Sequence, residues 1–433
     1  MAIQSLMIIL IVLLGLLALG VPIAYSIGIS SLVAILQVIP LDVAVVTGAQ
    51  RTFVGMSKFS LTAIPFFILA GNLMNQGGIA KRLVDFVMAL LGKLPGALLV
   101  TNAGANALFG AISGSASAAA AAVGSMVKGG EEEQGYDKAL CAATNGASAP
   151  SGLLIPPSNA LITYSLASGG TSVAALFMAG YIPGILWTIC CIIVGIFLAK
   201  KMGYKGSKGR YDWKNLWVCT YKAIPALSLI VVVIGGIVGG IFTATEGAAI
   251  AVVYALILGI LYKNITLKSF WEIVVDSAKM SGMVVFLIGV SNILGWVMAF
   301  TQIPQAVSAA LLGLTNNKYL ILLIMNLILL IAGTFMDVTP AILIFPPLFL
   351  PIVQTFGMHP VHFGLILVYN LCIGNIAPPV GNTLFVAIKV GDTSLQKTMP
   401  YMLWYYLAIL AGLVLVTYLP VISTGLPALM GLI

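Results

Sequence analysis

Charge is what this sequence most lacks. Only 7% of its 433 residues are charged, while 61% are hydrophobic. A soluble domain carries about 25% charged residues. That excludes a water-soluble globular chain and points to an all-α, polytopic membrane protein. At about 20 residues per crossing, roughly ten to fourteen membrane segments are expected. Histidine is nearly absent: His359 and His362 are the only two. Both fall at the outer end of one span and read as interfacial polar residues rather than metal ligands. The five cysteines lie in or beside apolar stretches without metal-ligand spacing and read as small apolar residues. No G-x-x-x-x-G-K-[ST] loop is present, so the chain does not itself hydrolyse ATP. No H-E-x-x-H, and no serine facing a recognisable base, supports an intramembrane hydrolase. The net charge of +8 is dispersed between apolar runs, which argues against a nucleic-acid partner and for orientation signals. No Lys or Arg precedes the first apolar run, Ile3–Leu19, so that run is expected to stay as an uncleaved first span.

What the sequence does have is a pair of interruptions. Pro156-Pro157 and Pro378-Pro379 sit 222 residues apart in otherwise apolar segments. The same register aligns Gly152 with Gly374, Gly169 with Gly391, Thr171 with Thr393 and Ser172 with Ser394. It extends to two soft centres, FGAISGSASAAAAA and GTFMDVTPAIL, aligning Ser115 with Asp337 and Ser117 with Thr339. Proline lacks the N–H, and its ring clashes with the preceding turn. Non-helical backbone at membrane depth is tolerated only where it is buried in protein or lines a cavity. Paired interruptions in corresponding halves therefore mark a secondary transporter's binding site.

Each half reads as span, in-plane helix, re-entrant hairpin, broken helix, span. Gly96–Val127 would reach about 48 Å as one helix at ~1.5 Å per residue, too long for a single crossing, and is expected to fold back at Ser113–Ser117. Ile79–Leu94 and Thr266–Met280 carry charges on one helical face and are expected to lie in the membrane plane. The expected organisation is scaffold helices in 1–60, a first repeat in 61–199, and a basic cytoplasmic loop in 200–216. Further scaffold helices follow in 217–265, and a second repeat in 266–433. Counting crossings outward from a cytoplasmic Lys200–Lys214 loop puts all but Arg51, Lys58 and Lys318 of the 20 basic residues inside, as the positive-inside rule expects. The halves are then inverted, and both termini are external.

The soft centres and breaks supply hard oxygen ligands and freed carbonyls, which suit Na⁺. One cation site is expected from Ser113, Ser115, Ser117, Asn145, Gly152, Pro156 and Asn159. A second is expected from Asp337, Thr339, Gly374, Asn375, Pro378 and Gly381. The substrate would lie between them, near Ser115, Ser158, Asn159, Asn382 and Thr383. Asp337 stands out, because an acidic residue within an apolar run is costly unless used. Glu246 reads instead as part of a capping box with Thr243. No arginine lies near either break in sequence, so a guanidinium clamp for a carboxylate is not assigned.

The stretch GGIFTATEGAAIAVVYAL (Gly239–Leu256) closely resembles a hallmark of the large membrane subunit of tripartite ATP-independent periplasmic (TRAP) transporters. So do IPFFILAGNLMNQGGIAKRLVDF, FGAISGSASAAAAAVG and the two proline breaks. The resemblance covers essentially the whole chain and is greatest to sialic acid systems. It implies an inverted-repeat, elevator-type secondary transporter of the bacterial inner membrane, similar in fold to the ion-transporter and divalent-anion symporter families. Na⁺ would be the coupling ion, with two or more ions bound. Its partners would be a small membrane subunit of about four helices and a soluble periplasmic protein that delivers an organic acid. The alternatives carried forward are a permease for a C4-dicarboxylate or another sugar acid, a self-sufficient Na⁺/anion symporter, and a channel.

Overall fold

The computed structural model describes residues 2–204, 206, 212–315 and 317–433. Lys205, Lys208 and Arg210 of the basic loop lie outside that set. Among the described residues every regular element is helical. The first half runs through Ala2–Ala18, Ile23–Ile35, Leu41–Met56, Ala63–Gln76 and Ile79–Leu91. A hairpin of Ala97–Ser113 and Ala116–Glu133 follows, then a broken helix (Lys138–Ser148, Ser151–Leu154, Asn159–Ala167) and the span Val173–Lys201. The second half repeats the order. It runs through Trp213–Val238, Ala244–Leu261, Leu267–Phe300 and Ile303–Leu314, then a hairpin of Lys318–Phe335 and Val338–Thr355. A broken helix (Pro360–Gly374, Asn382–Val390) and the span Leu395–Tyr418 follow, and Val421–Leu429 ends the series.

The halves are inverted, and the broken helices show it. Near one end, the Tyr164 hydroxyl, just past the first break, donates to the carbonyl of Pro360, which opens the second broken helix, at 2.7 Å. At the other end, Gly391, which closes the second broken helix, lies against the start of the first: a Cβ on Gly391 would lie 3.5 Å from the Lys138 carbonyl oxygen. The start of each broken helix thus meets the finish of the other. The hairpins and breaks pack with Val173–Lys201 and Leu395–Tyr418 as one body. The remaining long helices form a second body, in which Ala63–Gln76 packs on Ala244–Leu261 and Ile23–Ile35 packs on Leu267–Phe300. Helix Ile79–Leu91 bridges the two bodies, burying Ile79, Leu83 and Val87 as its apolar spacing requires.

Three expectations change. Thr266–Met280 is not a separate in-plane helix but the first part of a continuous 34-residue helix, Leu267–Phe300. The counterpart of Ile79–Leu91 is Ile303–Leu314; each starts beside a left-handed residue, Gly78 at φ 75° and Gln302 at φ 56°. In the first half the equivalent of the long helix is bent by 59° between Leu41–Met56 and Phe59–Gln76. Pro65 lies in the first turn of Ala63–Gln76, where a missing N–H costs nothing and a new helix starts readily. Leu267–Phe300 contains no proline at all, so nothing interrupts the second copy. The span count also falls. Among the described residues, seven helices are long and apolar enough to cross a membrane, eight if the bent pair is one span. Several apolar runs that looked like crossings are shorter helices or half-helices. His362 is buried, not interfacial, with Nδ1 2.6 Å from the Ser423 hydroxyl. Glu246 closes the expected capping box, accepting from Thr243 N at 2.7 Å.

Candidate functional site

Each hairpin tip is made by a helix that stops and a capped helix that starts. Ala97–Ser113 ends on Gly114 at φ 63°, a left-handed conformation that glycine adopts without strain. Ser115 then caps the return arm, its hydroxyl accepting from Ala118 N at 3.3 Å. In the second hairpin, Asp337 has the role of Ser115, accepting from Val338 N at 2.8 Å. A carboxylate at a helix N-terminus is stabilised by the helix dipole.

The breaks face the tips. Both proline pairs are cis, and neither ring nitrogen can donate. The Ser158 hydroxyl donates to the Leu153 carbonyl and caps Asn159–Ala167. In the second break, Thr383 N donates to the Asn375 carbonyl at 3.2 Å, and Gly381 N to that of Ala377 at 3.0 Å. Small residues allow tip and break to approach. A Cβ on Gly114 would lie 2.8 Å from Asn159 Nδ2.

Both tips and both breaks reach one cavity of about 240 Å³. Ser115, Ser117 and Asn159 come to it from the first half, and Asp337, Thr339 and Asn375 from the second. The opposite wall is apolar: Ile64 and Ile68 of Ala63–Gln76, and Met280, Met283 and Val284 of the long helix. The Asn382 side chain lies near the Asp337 carboxylate. Three buried oxygens around this region, Asn159 Oδ1, Asn375 Oδ1 and Thr383 Oγ1, have no hydrogen-bond partner. A buried unpaired polar atom costs about 1–3 kcal/mol, so these atoms call for an occupant. A set of hard oxygens with one carboxylate fits Na⁺.

The other expected residues support this arrangement without lining the cavity. Ser113 is buried behind the tip, its hydroxyl 3.4 Å from Ser115 N. Gly152 and Gly374 allow close packing of break on hairpin. Pro156, Pro378 and Gly381 shape the loops. Asn145 does not line the cavity. It lies in the helix before the break: its Nδ2 donates to the Ala120 carbonyl at 2.8 Å, and its Oδ1 accepts from Asn106 at 3.0 Å. It ties hairpin to broken helix. Conversely, Thr163 and the two methionines line the cavity without having been foreseen. Thr163 follows Asn159 by one helical turn, a usable signal; Met280 and Met283 carried none.

Comparison with known proteins agrees with this architecture. Residues 10–422 match the family described as "Tripartite ATP-independent periplasmic transporter, DctM component". The chain is 49% identical over 413 residues to the uncharacterized protein YgiK of Salmonella typhimurium, covering 95% of each. It is 40% identical to the isethionate TRAP transporter permease protein DctMQ of Oleidesulfovibrio alaskensis, covering 94% of this chain and 64% of that one. It is 35% identical to the sialic acid TRAP transporter large permease protein SiaM of Vibrio cholerae, covering 96% and 97%. In fold it is similar to the crystal structure of the Alcanivorax borkumensis YdaH transporter, described as having an unusual topology. That match has a TM-score of 0.61 and 16% identity, covering 85% of this chain and 87% of that one.

Proposed function

This chain belongs to the DctM component family of tripartite ATP-independent periplasmic transporters, and we propose that it is the large permease of a Na⁺-coupled importer of a small organic acid in the bacterial inner membrane. One observation carries this reading: unpartnered buried oxygens of Asn159, Asn375 and Thr383 surround the region where Asp337 and both hairpin tips meet. A bound Na⁺ would neutralise Asp337 and satisfy the freed backbone and side-chain oxygens. Ser115, Ser117, Asn159, Asp337, Thr339 and Asn375 would hold the ions. The organic acid would then bind beside Ser115, Ser158, Asn159, Asn382 and Thr383, in a site whose negative charge is already offset.

The division of the cavity supports an elevator movement. The polar wall belongs to hairpins and breaks, while the facing wall of Ile64, Ile68, Met280 and Met283 belongs to the other body. An apolar face without hydrogen bonds lets one body slide across the other at low cost. A small four-helix membrane subunit and a periplasmic binding protein are the proposed partners. Sialic acid is the first cargo to test, followed by C4-dicarboxylates and other sugar acids. Isethionate joins them through the 40%-identical relative.

Uptake into proteoliposomes holding both membrane subunits, with the binding protein outside, tests this. Replacing Na⁺ by K⁺ or choline should abolish uptake, and undiminished uptake would refute the coupling. Leaving out the binding protein should also abolish it; persistence would favour the self-sufficient symporter, and non-saturating flux a channel. A thermal-shift screen of the binding protein against these acids identifies the cargo.

A further inference from the structure

A second cavity, of about 290 Å³, lies between the same two bodies. It continues the first along three elements. On the long helix the lining passes from Met280, Met283 and Val284 to Ile288, Ser291, Gly295 and Ala299, at helical spacing. On the second hairpin it passes from Thr339 to Leu343 and Pro347, four residues at each step. On the helix after the first break it passes from Thr163 to Leu166 and Ala167. Its rim holds Arg51 and Lys58. The Arg51 guanidinium lies over the Trp296 ring, 5.8 Å from its centroid, and among the described residues neither cation is in an ion pair.

We propose that this cavity is a cationic entry vestibule, in which Arg51 and Lys58 bind the organic anion before it descends to the hairpin tips. The inference rests on the transport reading above. Its first support is placement: crossing counts put only Arg51, Lys58 and Lys318 outside, where basic residues are disfavoured, and two of these three border one cavity. Its second is continuity, since the lining runs on the same helical faces into the candidate site. Its third is chemistry. The inner cavity has a carboxylate and no cation among its lining residues, whereas a lone pair of cations at a low-dielectric mouth concentrates anions there. The guanidinium lies within cation–π range of Trp296, which leaves its N–H donors for a carboxylate or sulfonate. The ordinary alternative is that both side chains reach lipid headgroups at the interface.

Thiol labelling separates these readings without needing transport. Gly295 lines the vestibule, and a Cβ added there meets open space. Gly295→Cys in the reconstituted membrane complex is treated with an anionic sulfonatoethyl and a cationic trimethylammonioethyl methanethiosulfonate. Rates are corrected for the unsubstituted protein and normalised to glutathione. The anionic reagent should react faster by about ten-fold, as two nearby charges imply even at high dielectric. The bias should vanish in Arg51→Gln/Lys58→Gln, shrink in about 1 M salt, and survive Arg51→Lys. No bias in the parent, or a bias unchanged in the double variant, would overturn the vestibule and favour the headgroup reading. A retained bias in a protein whose uptake ignores Na⁺ would instead refute the coupling reading alone.

Discussion

Gly152 and Gly110 meet backbone to backbone: a Cβ on Gly152 would lie 2.2 Å from the Gly110 Cα. The inverted half repeats the contact, where a Cβ on Gly374 would lie 2.4 Å from the carbonyl carbon of Gly333. Each broken helix is therefore pressed against its own hairpin at the level of the break, which sets how far the tip reaches into the cavity. Backbone cannot move aside as a side-chain end can. Gly152→Ala and Gly374→Ala should each destabilise by about 1–3 kcal/mol or more, lower the melting temperature and abolish uptake. Gly129→Ala, where an added Cβ meets nothing within 4 Å, is the matched control and should change neither.

Asp337 and Thr383 test the ion reading. Asp337→Asn keeps the shape and the cap acceptor but removes the charge. Thr383→Val removes an unpartnered buried oxygen without emptying the site. Each should raise the Na⁺ concentration for half-maximal uptake by at least ten-fold, equivalent to about 1.4 kcal/mol. An unchanged Na⁺ dependence in Asp337→Asn would remove that carboxylate from the site.

Asn145 should behave in the opposite way. Asn145→Ala removes the side-chain bond to the Ala120 carbonyl and the one from Asn106, whose Nδ2 keeps Asn102 Oδ1 at 2.7 Å and Ser148 Oγ at 2.9 Å, a loss of about 0.5–1.5 kcal/mol per bond. The melting temperature should fall while the Na⁺ dependence of the remaining uptake stays the same. A selective loss of Na⁺ affinity would return Asn145 to the ion site.

Glu131 makes stability depend on pH. It lies in the polar last turn of the hairpin helix Ala116–Glu133, and burial raises its pKa to about 7, against Cys141, which lowers it. The folded state then holds a proton that the unfolded chain releases above about 4.5. This contribution is complete below that value and is lost as pH rises through about 7. Glu131→Gln should remain equally stable at pH 5 and become more stable than the parent at pH 8, as read by melting temperature. Parallel pH profiles for the two proteins would show that this carboxyl is not the source.

The parts of the fold visible in the sequence were those set by local chemistry. The proline pairs cannot sit in a helix, so both breaks could be placed. Ser115 and Asp337 fall in the two soft centres that interrupt the apolar runs. The Thr243 and Glu246 capping box is likewise local. The in-plane helix of the second half was misplaced because charges at Lys268, Glu272, Asp276 and Lys279 give the same spacing in a long helix as in a short one. What differed was Pro65 in the first copy, where Leu267–Phe300 of the second has no proline.

The amino-acid order by itself determined that this chain lies in a membrane, that it is built twice, and where each copy stops being helical. These follow from desolvation cost and from the missing proline N–H, which act on neighbours in sequence. Only the tertiary structure decided which oxygens share a cavity, that Asn145 bonds Ala120 and Asn106 away from it, and that Arg51 stands beside Trp296 on the same face that leads to Asp337. Those are distances between residues far apart along the chain, and packing of one body against the other sets them.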